Sequence, residues 1–275
     1  MISKMVYFTK SIVKQLLSIL GLALITKKNL MKLKNLESSR SDATLKLLTC
    51  FSKDVSANLL KCVTASNSQL QQDLFVLGIL ECKRDGFFVE FGATDGIALS
   101  NTYLLESEFG WSGILAEPAR YWQSNLLRNR PIAHLSDLCV WKTSGEKMKF
   151  RETKQMELST IETFKGNDAH RNERSKGFVY EVETISLIDL LRRYNAPKNI
   201  DFLSIDTEGS EFEILESFNF DAYQFSVIVC EHNFTENREK IFKLLTSKGY
   251  VRVFEDISFF DDWYICGNLA GRIKL

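Results

Sequence analysis

The sequence predicts an α/β protein with a doubly wound, mostly parallel sheet and a helical N-terminal extension. Three observations predict it. From residue 86 onward, short apolar runs alternate with helix-length segments. The first run ends in a glycine turn, and the second ends in an acid followed by proline. Strands separated by helices require crossover connections, which build parallel sheets. The composition agrees with a globular chain: 275 residues, 45% hydrophobic and 25% charged, with only 3 prolines and therefore no proline-rich linker.

The elements follow in order. Residues 42–62 and 67–82 read as helices, on Leu45, Leu48, Leu59 and Leu60, then Leu70, Leu74, Leu77 and Leu80. After Asp85-Gly86 come a strand at Phe87–Phe91, a helix at Ser100–Phe109, a strand at Ser112–Ala116 and a helix at Ala119–Arg128. Ile132–Val140 contains a further strand. Ile185–Tyr194 reads as helix, Phe202–Ile205 as strand and Ser210–Ser217 as helix. Phe225–Cys230 is a strand, Thr235–Lys248 a helix, and Tyr250–Phe254 and Trp263–Cys266 close with two strands. The stretch 144–180 is polar and breaks the rhythm. An insertion is expected there, a hairpin and a loop over the site that set acceptor specificity.

Ahead of this body, residues 1–40 carry eight basic residues against Glu37 alone, +7, so the other 235 residues carry −7 and the net charge is zero. That balance argues against a nucleic-acid binder, which is basic overall. Ile12, Leu16, Ile19, Leu20, Ala23 and Leu24 form a helical apolar stripe, but the uncharged run from Gln15 to Thr26 is 12 residues. A spanning helix needs about 20. Two readings stand: an interfacial helix on an anionic membrane face, or a helix packed on the body or on a second subunit. A signal peptide fits less well, because no small-residue cleavage site follows. The division is thus 1–40, a basic amphipathic segment; 41–85, a helical lead-in; and 86–275, the body. Cys50, Cys62, Cys82, Cys139, Cys230 and Cys266 make no CxxC pair and read as reduced packing residues of a cytoplasmic protein.

In doubly wound sheets, ligands bind beyond the carboxyl ends of the strands. The first strand ends Glu90-Phe91-Gly92-Ala93-Thr94-Asp95-Gly96. The nicotinamide fingerprint G-x-G-x-x-G would fall on Gly92, Thr94 and Ile97, and only the first fits. The second strand ends at Glu117-Pro118, where an acid accepts from both hydroxyls of a ribose. The structural alternative is an acid at a helix start. After the fourth and fifth body strands come Asp206 and Glu208, then Glu231 and His232.

These stretches resemble the FkbM-type methyltransferase family: 87–96, then Ser100–Glu106, then Gly110–Pro118, then Asp201–Glu211 with Asp206-Thr207-Glu208-Gly209, then Val229–His232. The lead-in Ser68–Leu77 is similar to a segment preceding the fold in part of that family. The likeness covers about 67–266 in the right order, and 86–275 is accordingly identified as the methyltransferase domain. It implies a class I, Rossmann-like fold that binds S-adenosylmethionine. Glu90, Gly92, Ala93 and Asp95 would hold the methionine half. Ser100 and Asn101 would donate to its carboxylate or cap a helix. Glu117 would hold the ribose, and Ser136-Asp137 would lie by the adenine or form a turn. Gln69 and Asp73 line the site or are ordinary exposed helix residues.

The reaction expected is methyl transfer to a hydroxyl of a carbohydrate or other small-molecule acceptor. Polysaccharide biosynthesis is one setting, and contact with the inner membrane face through 1–40 would suit a lipid-carried acceptor. His232 or Asp206 serves as general base, with Glu208 beside them. No metal is assigned, although Asp206, Glu208, Glu211 and Glu231 form an acidic group of the type that binds Mg²⁺. The competing reading is a non-catalytic binding protein that keeps the fold.

Overall fold

The computed structural model describes residues 40–164 and 177–274. The chain divides into two units at Asp42–Ala43. The expectations for residues 1–39 lie outside the described residues. Among the described residues, no helix is long and apolar enough to cross a membrane.

The lead-in is three helices: α1 over 40–50, α2 at Lys53–Cys62 and α3 at Gln72–Ile79. The single helix expected over 42–62 is broken because Ser52 is extended and its hydroxyl accepts from the Val55 N–H, capping α2 afresh. The helix expected over 67–82 is only α3, because Gln71 sits in the left-handed region at φ 65°. Every residue of α3 is buried, and Phe75 stacks on Trp263 at 4.6 Å between ring centres.

The body begins with β1 (Phe87–Phe91), α4 (Tyr103–Phe109), β2 (Ser112–Ala116) and α5 (Gln123–Asn129). Gly110, at φ 71°, ends α4 in the left-handed conformation that glycine takes without strain. Then come β3 (His134–Ser136), β4 (Cys139–Trp141), β5 (Lys147–Glu152), β6 (Thr160–Ile161) and β7 (Phe178–Ser186). The run ends with α6 (Leu187–Arg193), β8 (Asn199–Ile205), α7 (Glu211–Ser217), β9 (Gln224–Glu231), α8 (Asn237–Ser247), β10 (Tyr250–Val253) and β11 (Asp261–Cys266).

Seven strands form one sheet in the order β10-β11-β9-β8-β1-β2-β3. All pairs are parallel except those made by β11, which is antiparallel to both neighbours. The run Phe87–Phe91 shows why the strands are apolar throughout: both faces are covered. Phe88 packs into one core with α3 and Trp263, while Val89 and Phe91 pack into the other with Leu190 and Ile214. Each such side chain contributes roughly 1.5–3 kcal/mol by leaving water. Strand order reverses between β1 and β8, so a crevice opens at their carboxyl ends.

The expected strand in Ile132–Val140 is in fact two, β3 and β4, which join different sheets. β4 belongs to a small second sheet, β4-β7-β5-β6, in which β5 and β7 pair antiparallel from Lys147↔Glu183 to Glu152↔Phe178, with β6 between them in the chain. β7 runs through Ser186, two residues into the predicted helix, and Ser186 then caps α6 by accepting from the Asp189 N–H. All six cysteines are free, with Cys139 and Cys230 buried.

Candidate active site

A cavity of about 250 Å³ opens at the carboxyl ends of β1, β2, β8 and β9. Phe150 of β5, the turn at Met156–Leu158 and Ile161 of β6 form its outer wall. Its inner wall carries Glu90, Glu117, Asp206, Glu208, Glu231 and Asp261.

The turn after β1 is shaped by one glycine. Gly92 has φ 74°, and a Cβ on it would collide with the Asp206 carbonyl oxygen. The two loops that flank the crevice therefore touch through backbone. Thr94 also lies in the left-handed region, at φ 47°, where a β-branched residue is strained. Its N–H donates to Glu117 Oε2 at 3.0 Å. Glu117 Oε1 accepts from the Ala119 N–H at 2.8 Å. Burial pushes the Glu117 carboxyl up to about 7, against the pull of those two N–H groups.

Glu90 lies deeper. Its carboxylate accepts from the Ser100 and Thr102 hydroxyls and from the Asn101 N–H at 2.7 Å. Burial raises its pKa, and the Arg130 charge opposes that rise. Arg130 is fully buried; it donates to the same two hydroxyls, to the Gly96 carbonyl and to Glu106 at 2.9 Å. Glu90 thus fixes the turn that presents Asn101. Asn101 Nδ2 donates to Ser204 Oγ, while Asn101 Oδ1 is buried without a partner beside the cavity.

On the far side, ligand atoms of Asp206, Glu208 and Glu231 all lie within 4.8 Å of one another. Asn233 Nδ2 donates to Glu208 at 3.2 Å. Burial first, then the Asp206 and Glu208 charges, hold the Glu231 carboxyl well above the usual carboxylate range. Asp261, whose strand position pairs with Glu231, accepts from Gln72 Nε2 at 2.8 Å and is pushed up to about 8, chiefly by burial.

Several expected residues are placed elsewhere. His232 is buried and does not line the cavity. Its Nδ1 accepts from the Phe234 N–H at 2.9 Å, and Nε2 faces Asp262 at 3.7 Å. Burial lowers its pKa. The enclosed imidazole holds the turn that carries Asn233 and is not part of the cavity lining. Ala93 is buried in the core. Asp95 turns back on its own loop, accepting from the Ile97 and Ala98 N–H groups. Ser136 accepts from the Leu138 N–H, and Asp137 is exposed; neither lines the cavity. Glu211 leaves the acidic group, because its carboxylate accepts from the Thr207 and Gly209 N–H groups. Gln69 lines the cavity, whereas Asp73 is fully buried and accepts from Ser66 and Ser68.

Glu90, Gly92, Ser100, Asn101, Glu117, Asp206 and Glu208 are brought together. Gln72, Asn233, Phe260 and Asp261 also line the cavity, although no sequence pattern singles them out. Asp261 arrives on the antiparallel strand from the far end of the chain, where no local pattern marks it. The exposed Phe234 and Phe259 flank Asn233 and Phe260, with ring centres 6.3 Å apart and backbones at φ 55° and 57°.

One reversed strand near the edge of a seven-stranded parallel sheet, a glycine turn after its first strand and an acid after its second define a class I methyltransferase fold. The model of the methyltransferase FkbM domain matches residues 90–262, and the chain belongs to that family. It is an S-adenosylmethionine-dependent methyltransferase. No curated protein matches the chain. Among solved structures it is similar to the METTL16 methyltransferase domain, at 10% identity and TM-score 0.42, over 72% of this chain and 66% of that one. It is also similar to precorrin-6y C5,15-methyltransferase from Geobacter metallireducens, at 12% and 0.36, over 70% and 85%. TrmK of M. capricolum, in complex with S-adenosyl-homocysteine, matches at 10% and 0.36, over 70% and 66%.

Proposed function

We propose that the protein methylates a hydroxyl oxygen of a small polyhydroxylated acceptor, a carbohydrate above all. The observation that carries this reading is the carboxylate group Asp206, Glu208 and Glu231, across one cavity from Glu117. Carboxylates accept from hydroxyls, as recognition of a polyhydroxylated acceptor requires.

The residues present fit the methyl donor. Asn101 Oδ1 is an orphaned acceptor suited to an α-ammonium, Gly92 lines the cavity with bare backbone and lets the turn close on the Asp206 carbonyl, and Glu117 is an acceptor suited to ribose hydroxyls. When bound, S-adenosylmethionine supplies a methyl whose bond to sulfur breaks, with the electron pair left on sulfur, as a bond to the acceptor oxygen forms. Asp206, less buried than Glu208 and Glu231, takes the hydroxyl proton and passes it to water. Phe150 and Met156 line the outer wall of the same space. The reading extends to residues 1–40 as a membrane-surface segment that brings the enzyme to lipid-carried acceptors. Loss of vesicle flotation on deleting 1–40 would support it.

Calorimetry with S-adenosylmethionine, and NAD as control, tests the cofactor; labelled methyl transfer to a panel of glycans and amines tests the acceptor. Asp206→Asn should keep cofactor binding and lose turnover by about 10²–10⁴-fold. Transfer to amines but to no hydroxyl would overturn the reading.

A further inference from the structure

Nine carboxylates are buried among the described residues, and eight have a hydrogen-bond donor. Asp73, Glu90, Glu117, Asp201, Glu208, Glu211, Asp261 and Asp262 each accept from a named side chain or N–H. Glu231 is the exception. It is 8% exposed and lines the cavity, and no donor among the described residues reaches its carboxylate. Its side chain is mostly enclosed and its carboxylate faces the cavity, so whatever satisfies it comes from the cavity side.

We propose that Asp206, Glu208 and Glu231 hold a divalent cation, Mg²⁺ or Mn²⁺, at the acceptor side of the cavity. The ligand set is all oxygen and all anionic, which suits a hard cation. Their ligand atoms lie within 4.8 Å of one another. Two Mg–O bonds of about 2.1 Å in line put their oxygens about 4.2 Å apart, so small side-chain rotations close the set. The three residues come from the loop after β8 and the end of β9, two neighbouring strands whose frame is fixed by the ladder Ile205↔Cys230. Water or acceptor hydroxyls from the cavity would complete the set. The site rests on the hydroxyl-methylation reading for its purpose but not for its existence.

Mn²⁺ serves as the probe, with the full-length chain, and the loss of the free-ion electron paramagnetic resonance signal reports binding. One Mn²⁺ per chain is expected, displaced by excess Mg²⁺. Glu231→Gln and Asp206→Asn should each weaken binding at least tenfold, while the exposed control Glu216→Gln leaves it unchanged. If Glu231→Gln fails to fold, Asp206→Asn carries the test. No bound Mn²⁺ up to about 10 mM, beyond the weakest sites of this type, overturns the proposal. So does binding that both variants leave intact. Calorimetry with S-adenosylmethionine on the same samples separates the two ideas: cofactor binding without Mn²⁺ sinks the cation site alone. Mn²⁺ lost in both variants, together with methyl transfer to amines only, upholds the site and sinks hydroxyl methylation.

Discussion

The two sides of the cavity use carboxylates in opposite ways. At the ends of β1 and β2, Glu90 and Glu117 are met by protein donors: hydroxyls and an N–H for the first, two N–H groups for the second. At the ends of β8 and β9, Asp206, Glu208 and Glu231 lie within 4.8 Å of one another; Asn233 donates to Glu208, while Glu231 accepts no side-chain hydrogen bond from the described residues. A carboxylate ringed by donors organises the chain. One held among like charges stores unfavourable energy that a ligand relieves. Proton transfer is therefore expected on the second side, and cofactor holding together with loop architecture on the first.

The largest expected effect breaks the first side. Glu90→Ala leaves the buried Arg130 and three donors short of an acceptor, so stability should fall by about 3 kcal/mol in chemical denaturation. A loss under about 1 kcal/mol would show that Glu106 alone balances Arg130. Glu231→Gln is the counterpart. Removing one of three facing charges should leave the unfolding free energy equal or higher, while turnover falls at least about tenfold. If it unfolds the protein as Glu90→Ala does, the contrast between the two sides is gone.

Gly92→Ala tests where the sides touch. Its φ of 74° and the collision with the Asp206 carbonyl should cost about 1–3 kcal/mol and displace Asp206, so cofactor affinity and turnover fall together. Intact turnover would mean that the loop after β8 moves freely of the turn.

The smallest effect is a pH dependence. The Glu117 pKa is raised from 4.5 to about 7, so the folded protein binds more protons than the unfolded chain between those values. Its contribution to stability is present below about pH 4.5 and is lost as pH rises to about 7. Cofactor affinity should move the other way, strengthening above about pH 7 as the carboxylate becomes a full acceptor for ribose. Glu117→Gln should flatten both trends in thermal melts and calorimetric titrations from about pH 5 to 8. A wild type that shows neither trend would place Glu117 among the purely structural acids.

The parallel sheet and the edge of it that binds are legible in the order of residues alone. Apolar runs such as Phe87–Phe91 need cover on both faces, and Gly92 and Glu117 mark the ends of strands in any register. That order also placed Asp206 and Glu208, because they follow a strand directly. His232 follows a strand too, yet a single left-handed turn at Asn233 and Phe234 buries its ring behind the site. Asn233 tolerates that conformation but Phe234 does not favour it, so the local sequence encodes the turn only in part. Tertiary structure alone decided that Glu211 serves its own loop, that β3 and β4 part into two sheets, and that Asp261 comes back beside Glu231. Strand pairing across the chain sets which acids share one buried space, and desolvation and charge there depend on that company rather than on spacing along the sequence.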